Sequence, residues 1–169
     1  MKILLDADVV IHFIKAGKQL SIASIFPKHK LVILDKVYDE LKKYRPTETI
    51  VDNILQFGIA EKEAFPNDFE ILREYATLTK EGRGEGESAC MAVARLRSEI
   101  IASSNLKDIK DYCRNHSIIY LTTMDFLCQA LENRIFTEEE CDLFISTVKA
   151  NRSRLPVNRM SEYRCKKKL

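Results

Sequence analysis

Short apolar runs that stop at a polar residue and give way to helical spacing constrain this chain more than any other feature. Ile3–Leu5, Leu31–Leu34, and the segments 99–102 and 117–121 are such runs. Strands this short and this apolar are buried on both faces, as in a parallel sheet. Val10, Phe13 and Ile14 follow the first run at helical spacing, and Val37, Tyr38 and Leu41 follow the second behind an N-cap at Asp35. Pro46 stops or bends that helix, and the next is expected over 48–56. A short edge strand is expected within 58–65, then a helix over 68–78 capped by Asn67. The alanine-rich stretch Ser88–Leu96 predicts a tightly packed helix, and 106–115 another. Thr122 or Thr123 opens the next. Thr137, with Glu140 three residues later, forms a capping box for a last helix ending near Ala150. The alternation predicts an α/β fold: a three-layer sandwich with a mainly parallel central sheet.

At 169 residues the chain has room for one ordinary domain, taken as 1–150, with 151–169 as a separable tail. It has no run of about 18 apolar residues, so no membrane-spanning helix and no membrane partner are expected. Two aspartates interrupt the opening MKILLDADVV, which does not read as a signal peptide, and a cytoplasmic protein is expected. Five cysteines, an odd number without a CxxC pair, argue against a disulfide framework and a zinc knuckle. Reduced core thiols are the expectation.

Charge is unevenly spread. From Lys149 onward there are eight basic residues and one acid, whereas the first 148 residues carry 19 basic and 24 acidic groups. Nucleic acid is the natural partner of such a tail, through Arg152, Arg154, Arg159, Arg164, Lys166, Lys167 and Lys168. A second reading has the tail docking on a partner or a second copy of the chain, with Leu155, Val157 and Met160 as an apolar stripe.

In open α/β sheets, ligands bind beyond the carboxyl ends of the strands. Asp6 and Asp8 follow the first run, and Glu40 lies on the helix after the second. Glu85 and Glu87 open the alanine-rich helix, while Ser103, Ser104 and Asn105 follow the third run with Asp108 one turn on. Clustered carboxylates repel one another unless hard cations such as Mg²⁺ or Mn²⁺ neutralise them. A cation so held can activate water against a phosphodiester. Each acid alone also has an ordinary role, as an N-cap, a solvated helix residue or a complement to a helix N-terminus. Order and spacing together carry the reading. Gly82, Gly84 and Gly86 permit positive φ and close backbone approach, but the GxxxxGK[ST] and GxGxxG phosphate loops are absent.

The chain resembles the PIN domain family of metal-dependent ribonucleases, whose small members include VapC-like toxins of toxin–antitoxin pairs. The resemblance covers roughly residues 1–135 and rests on ILLDADVVI, VYDEL, GRGEGESACMAVA and IIASSN followed by LKDI. It implies an endoribonuclease dependent on Mg²⁺ or Mn²⁺, with RNA as substrate and an antitoxin or a second copy as protein partner. Asp6, Glu40 and one or both of Glu85 and Glu87 would be catalytic metal ligands, with Asp8, Ser103 and Ser104 in support. The departure is at the fourth motif, where Ser103, Ser104 and Asn105 bring no carboxylate. Asn105 through its carbonyl, Asp108 from the next turn, or Asp125 would substitute. Two readings compete: a non-catalytic RNA- or protein-binding module of the same fold, and a haloacid dehalogenase-like phosphatase, which also opens on an apolar strand ending in DxD.

Overall fold

The structure, a computed structural model, describes residues 1–166 and 169; Lys167 and Lys168, two of the expected RNA contacts, lie outside the described residues. From the N-terminus run β1 (Lys2–Leu5), α1 (Ala7–Lys15), a 3-10 turn at Gln19–Ser21 and the short α2 (Ile22–Ile25). Next come β2 (Lys30–Leu34), α3 (Asp35–Lys43), α4 (Arg45–Gln56), β3 (Glu61–Glu63), α5 (Phe69–Lys80) and α6 (Glu85–Arg97). The chain continues through β4 (Ile100–Ala102), α7 (Leu106–Asn115), β5 (Tyr120–Leu121), α8 (Thr123–Glu132) and α9 (Glu138–Ala150), and a 3-10 turn spans Met160–Glu162.

The five strands make one sheet in the order β3-β2-β1-β4-β5. Every pairing is parallel, with Leu4 opposite both Val32 and Ile101. Chain order leaves β1 in one direction towards β2 and returns on its other side at β4, so the carboxyl ends of β1 and β4 form the switch point of the sheet. Helices flank the sheet. Phe13 of α1 packs edge-on against Phe126 of α8 and Phe144 of α9, with ring centroids 5.7 and 4.9 Å away. Helix α6 is buried from Gly86 through Ala94. Its Ala89, Ala92 and Ala94 have no bulk to hold it off α3, α5 and the strands, which is the physical reason an alanine-rich helix sits there.

Local signals place most boundaries. Thr122 and Thr137 close capping boxes with Asp125 and Glu140. Pro46 lies in the first turn of α4, where its missing N–H is harmless, rather than ending the previous helix. The α5 cap is Asp68, whose carboxylate accepts the N–H groups of Glu70 and Ile71, not Asn67. Asp35 is the first residue of α3 rather than its cap. The described chain has no helix long and apolar enough to cross a membrane.

Two expectations are corrected. Cys128 of α8 and Cys165 are joined by a disulfide, with Cα atoms 5.7 Å apart across a separation of 37 residues. Pairing depends on that distance in space, which an odd count without CxxC does not reveal. Cys90, Cys113 and Cys141 are buried thiols as expected. Second, the segment after Asn151 does not hang free. Leu155 and Met160 are buried, Met160 N–H bonds Asp142 at 2.6 Å, and Lys15 Nζ bonds Asn151 O and Ser153 Oγ. Its apolar stripe is spent on the same chain. Met160→Ala is therefore expected to cost about 2 kcal/mol of folding stability. A urea midpoint unchanged by the substitution would show that the segment is not part of the core.

Candidate functional site

Asp6 ends β1 and caps α1: its N–H extends the ladder to Ala102 O at 2.9 Å, and its carboxylate accepts Ala7 N–H at 2.8 Å. The side chain is only 6% exposed. Burial drives its pKa well above the ordinary carboxylate range, and the charges of Asp8 and Glu87 push the same way. Asp8 comes one residue into α1. Ser104 N–H donates to its Oδ2 at 2.8 Å, while Oδ1 is buried with no hydrogen-bond partner. Burial raises its pKa to about 6.

Helix α6 supplies the third acid. Glu87 is buried at 7% exposure and Glu85 is exposed. Only Glu87 turns inward because two residues along a helix swing a side chain by about 200°. Its pKa is raised to about 7 by burial and then by the charge of Asp108. Asn105 joins these groups, its Nδ2 donating to Glu87 Oε1 at 3.0 Å and to Asp108 Oδ2 at 2.6 Å. Asp108 thus stands in the cluster by way of an amide bridge.

Glu40 approaches from α3. Gly86 N–H donates to its Oε1 at 2.9 Å. A Cβ on Gly86 would meet Glu40 Oε2 at 2.8 Å and Val37 Cγ2 at 3.1 Å, whereas one on Gly84 would reach Glu40 Oε1 at an ordinary 3.5 Å. Of the three glycines singled out in the sequence, Gly82 needs positive φ (90°) and Gly86 needs closeness. Gly86→Ala gains about 1 kcal/mol of helix propensity but forces Glu40 away. The expected outcome is near-unchanged stability with loss of whatever Glu40 binds, while Gly84→Ala keeps both; metal titration of the two variants checks this.

The buried Cys90 thiol reports how closely the groups gather. After burial, its pKa is pushed up by Asp6, Glu40, Glu87 and Asp8. Sequence reasoning missed the support beneath. His12 Nδ1 lies 2.8 Å from Thr123 Oγ1, Thr123 lies 2.9 Å from Ser104 Oγ, and Ser104 N–H holds Asp8. Burial lowers the His12 pKa to about 4, so the ring is neutral at pH 7. The paired threonines at the start of α8 were the signal: Thr122 caps the helix, leaving Thr123, its first residue, for Ser104. Ser103 is buried and accepts Asn105 N–H at 3.2 Å. Asp125 is occupied in its capping box, accepting Thr122 N–H at 2.7 Å.

Among the described residues, no three His, Cys, Asp or Glu side chains already converge as a ligand set. The donors nonetheless suit a hard cation. They are all oxygens, three carboxyls are protonated more readily than usual, and one buried carboxylate oxygen lacks a partner. Of the expected RNA contacts, Arg152 lines a cavity that Asp8 also lines, and Lys166 lines another beside Cys128 and Cys165. Arg154, Arg159 and Arg164 are exposed.

The class defined is a PIN-like α/β domain: a five-stranded parallel sheet with acids at the carboxyl ends of its inner strands. Two solved VapBC toxin–antitoxin complexes share that fold. One is VapBC2 from Rickettsia felis bound to a DNA fragment from their promoter, with 14% identity, a TM-score of 0.54, and coverage of 72% of this chain and 98% of that one. The other is VapBC-1 from nontypeable Haemophilus influenzae, with 18% identity, a TM-score of 0.52, and coverage of 73% and 98%. No protein-family model and no curated protein matches the sequence.

Proposed function

We propose that this chain is an endoribonuclease dependent on Mg²⁺ or Mn²⁺, the toxin of a toxin–antitoxin pair. The observation that carries the reading is the gathering of Asp6, Asp8, Glu87 and Asp108 at the switch point of the sheet, with Asp8 Oδ1 buried and unpartnered. Asp6, Asp8 and Glu87 would hold the cation, with Glu40 and Asp108 at its margin. A cation held by these carboxylates would offset their mutual repulsion and would supply an activated water for phosphodiester hydrolysis. The chain's own contribution is orientation. Ser104 N–H fixes Asp8, Gly86 N–H fixes Glu40, and the Asn105 amide fixes Glu87 and Asp108. Asp108 thereby returns one turn later the acid that Asn105 lacks.

A second reading is favoured by that same Asn105, a neutral donor between two acids: an RNA- or protein-binding module that does not cut. Incubating the full chain with single-stranded RNA, Mn²⁺ or EDTA decides between them. Cleavage with Mn²⁺ and none with EDTA is expected; binding without cleavage at any metal concentration establishes the module. The phosphatase reading requires a covalent phosphoaspartate at Asp6, which acid-quenched trapping detects. An antitoxin is the proposed protein partner on the likeness to VapBC complexes.

A further inference from the structure

A cavity of about 370 Å³ opens beside the acidic cluster, lined by Asp8, Ile11, Lys15, Tyr44, Arg152 and Ser153 among others. Asp8 belongs to both, so the cavity abuts the cluster. Three chain segments meet here: one side of α1, the α3–α4 junction and the start of the C-terminal segment. We infer that this groove carries the single-stranded RNA itself, with Arg152 and Lys15 on the phosphates flanking the cleaved one and Tyr44 stacked on a base. The inference rests on the proposed nuclease reading and adds where the strand lies.

The charges favour it. A site of four or five carboxylates repels a polyanion, so attraction must come from cations close by. Lys15 Nζ donates to Asn151 O at 2.7 Å and Ser153 Oγ at 2.8 Å, both neutral, so its charge is unspent. Those bonds also tie the turn that carries Arg152 to α1. Among the described residues Arg152 has no carboxylate partner, and it stands at φ 63°, a conformation that glycine adopts with less strain. Its guanidinium stands on the rim of the cavity that Asp8 also lines. Tyr44 is 44% exposed, and its carbonyl is held by Thr47 N–H at 2.9 Å and Thr47 Oγ1 at 2.8 Å, which presents the ring on a fixed backbone. A cation pair beside an exposed aromatic is the arrangement that binds single strands without reading sequence.

The test is fluorescence anisotropy with a fluorescein-labelled, mixed-sequence single-stranded RNA. The full chain carries Glu87→Gln, so the strand is held rather than cut, and Mn²⁺ is present. Arg152→Gly, which the backbone accepts, is expected to weaken binding about tenfold and to lower the salt slope by about 0.7. Tyr44→Ala is expected to weaken it about tenfold, and Tyr44→Phe to restore it. Lys110→Ala, exposed on α7, is expected to change neither affinity nor slope. Unaltered affinity and slope for both Arg152→Gly and Tyr44→Ala overturn the groove, as does a parent that binds no RNA. Wild-type cleavage is scored separately: RNA cut by wild type while the groove variants bind normally leaves the nuclease standing and removes only the groove.

Discussion

Asp6→Asn is expected to abolish metal-dependent RNA cleavage, by about a thousandfold or more, while making the metal-free protein melt higher. The two effects have one cause. Asp6 is a buried carboxylate facing the charges of Asp8 and Glu87. In the nuclease reading that repulsion is relieved by a cation, whose transition-state stabilisation is worth several kcal/mol. Asparagine keeps the size and can still accept Ala7 N–H, but it removes a buried charge, so the metal-free protein gains about 1–2 kcal/mol, or roughly 5 °C in Tm. Saturating Mn²⁺ stabilises wild type by about 3 kcal/mol at a hundred times Kd, and the variant hardly at all. Thermal melts with Mn²⁺ and EDTA read both. Equal metal shifts for the two proteins would falsify the site.

The metal-free protein is also expected to lose about 1–2 kcal/mol of stability between pH 6 and pH 8. Folded pKa values of about 6 for Asp8 and about 7 for Glu87, with Asp6 raised as well, lie above the unfolded carboxylate values. The native state therefore holds protons that the unfolded chain has released. The associated stability is complete below about pH 4 and is lost as pH rises through about 6 and 7. His12, lowered to about 4, opposes this trend at acid pH, because the native ring resists protonation. Above about pH 7.5 it is neutral in both states and the carboxyls act alone. Urea midpoints across this range check the slope, and Mn²⁺ should flatten it. Stability that is level or rising from pH 6 to pH 8 without metal would show that the carboxyls are not crowded.

Much of this architecture is legible in one dimension. Apolar runs such as Ile3–Leu5 and Ile100–Ala102, too short for helices and bounded by polar residues, read as buried strands, and the helical spacing between them points to parallel pairing. Caps such as Thr137 with Glu140 announce helix starts through contacts three residues apart, so the local sequence holds the whole interaction. The acids were legible for the same reason: a residue directly after a strand lies at its carboxyl end wherever the strand goes.

Tertiary structure decided what depends on direction and distance. Glu85 and Glu87 are indistinguishable as letters, but burial of one face of α6 against the sheet turns Glu87 inward and leaves Glu85 in solvent. Asn105 looks like a lost acid in the sequence; in space its amide bridges Glu87 and Asp108. Gly86 reads in the sequence as a place for positive φ or close backbone approach; in space it is helical, and the close neighbour is Glu40 of α3, which needs the room a Cβ would fill. Cys128 and Cys165, 37 residues apart, and the docking of Leu155 and Met160 likewise depend on contacts between distant parts of the chain. Sequence alone determined which residues are polar, apolar or charged and, to within a few residues, where helices and strands lie. Only packing, by bringing remote backbones within a few ångströms, decided which of those side chains meet.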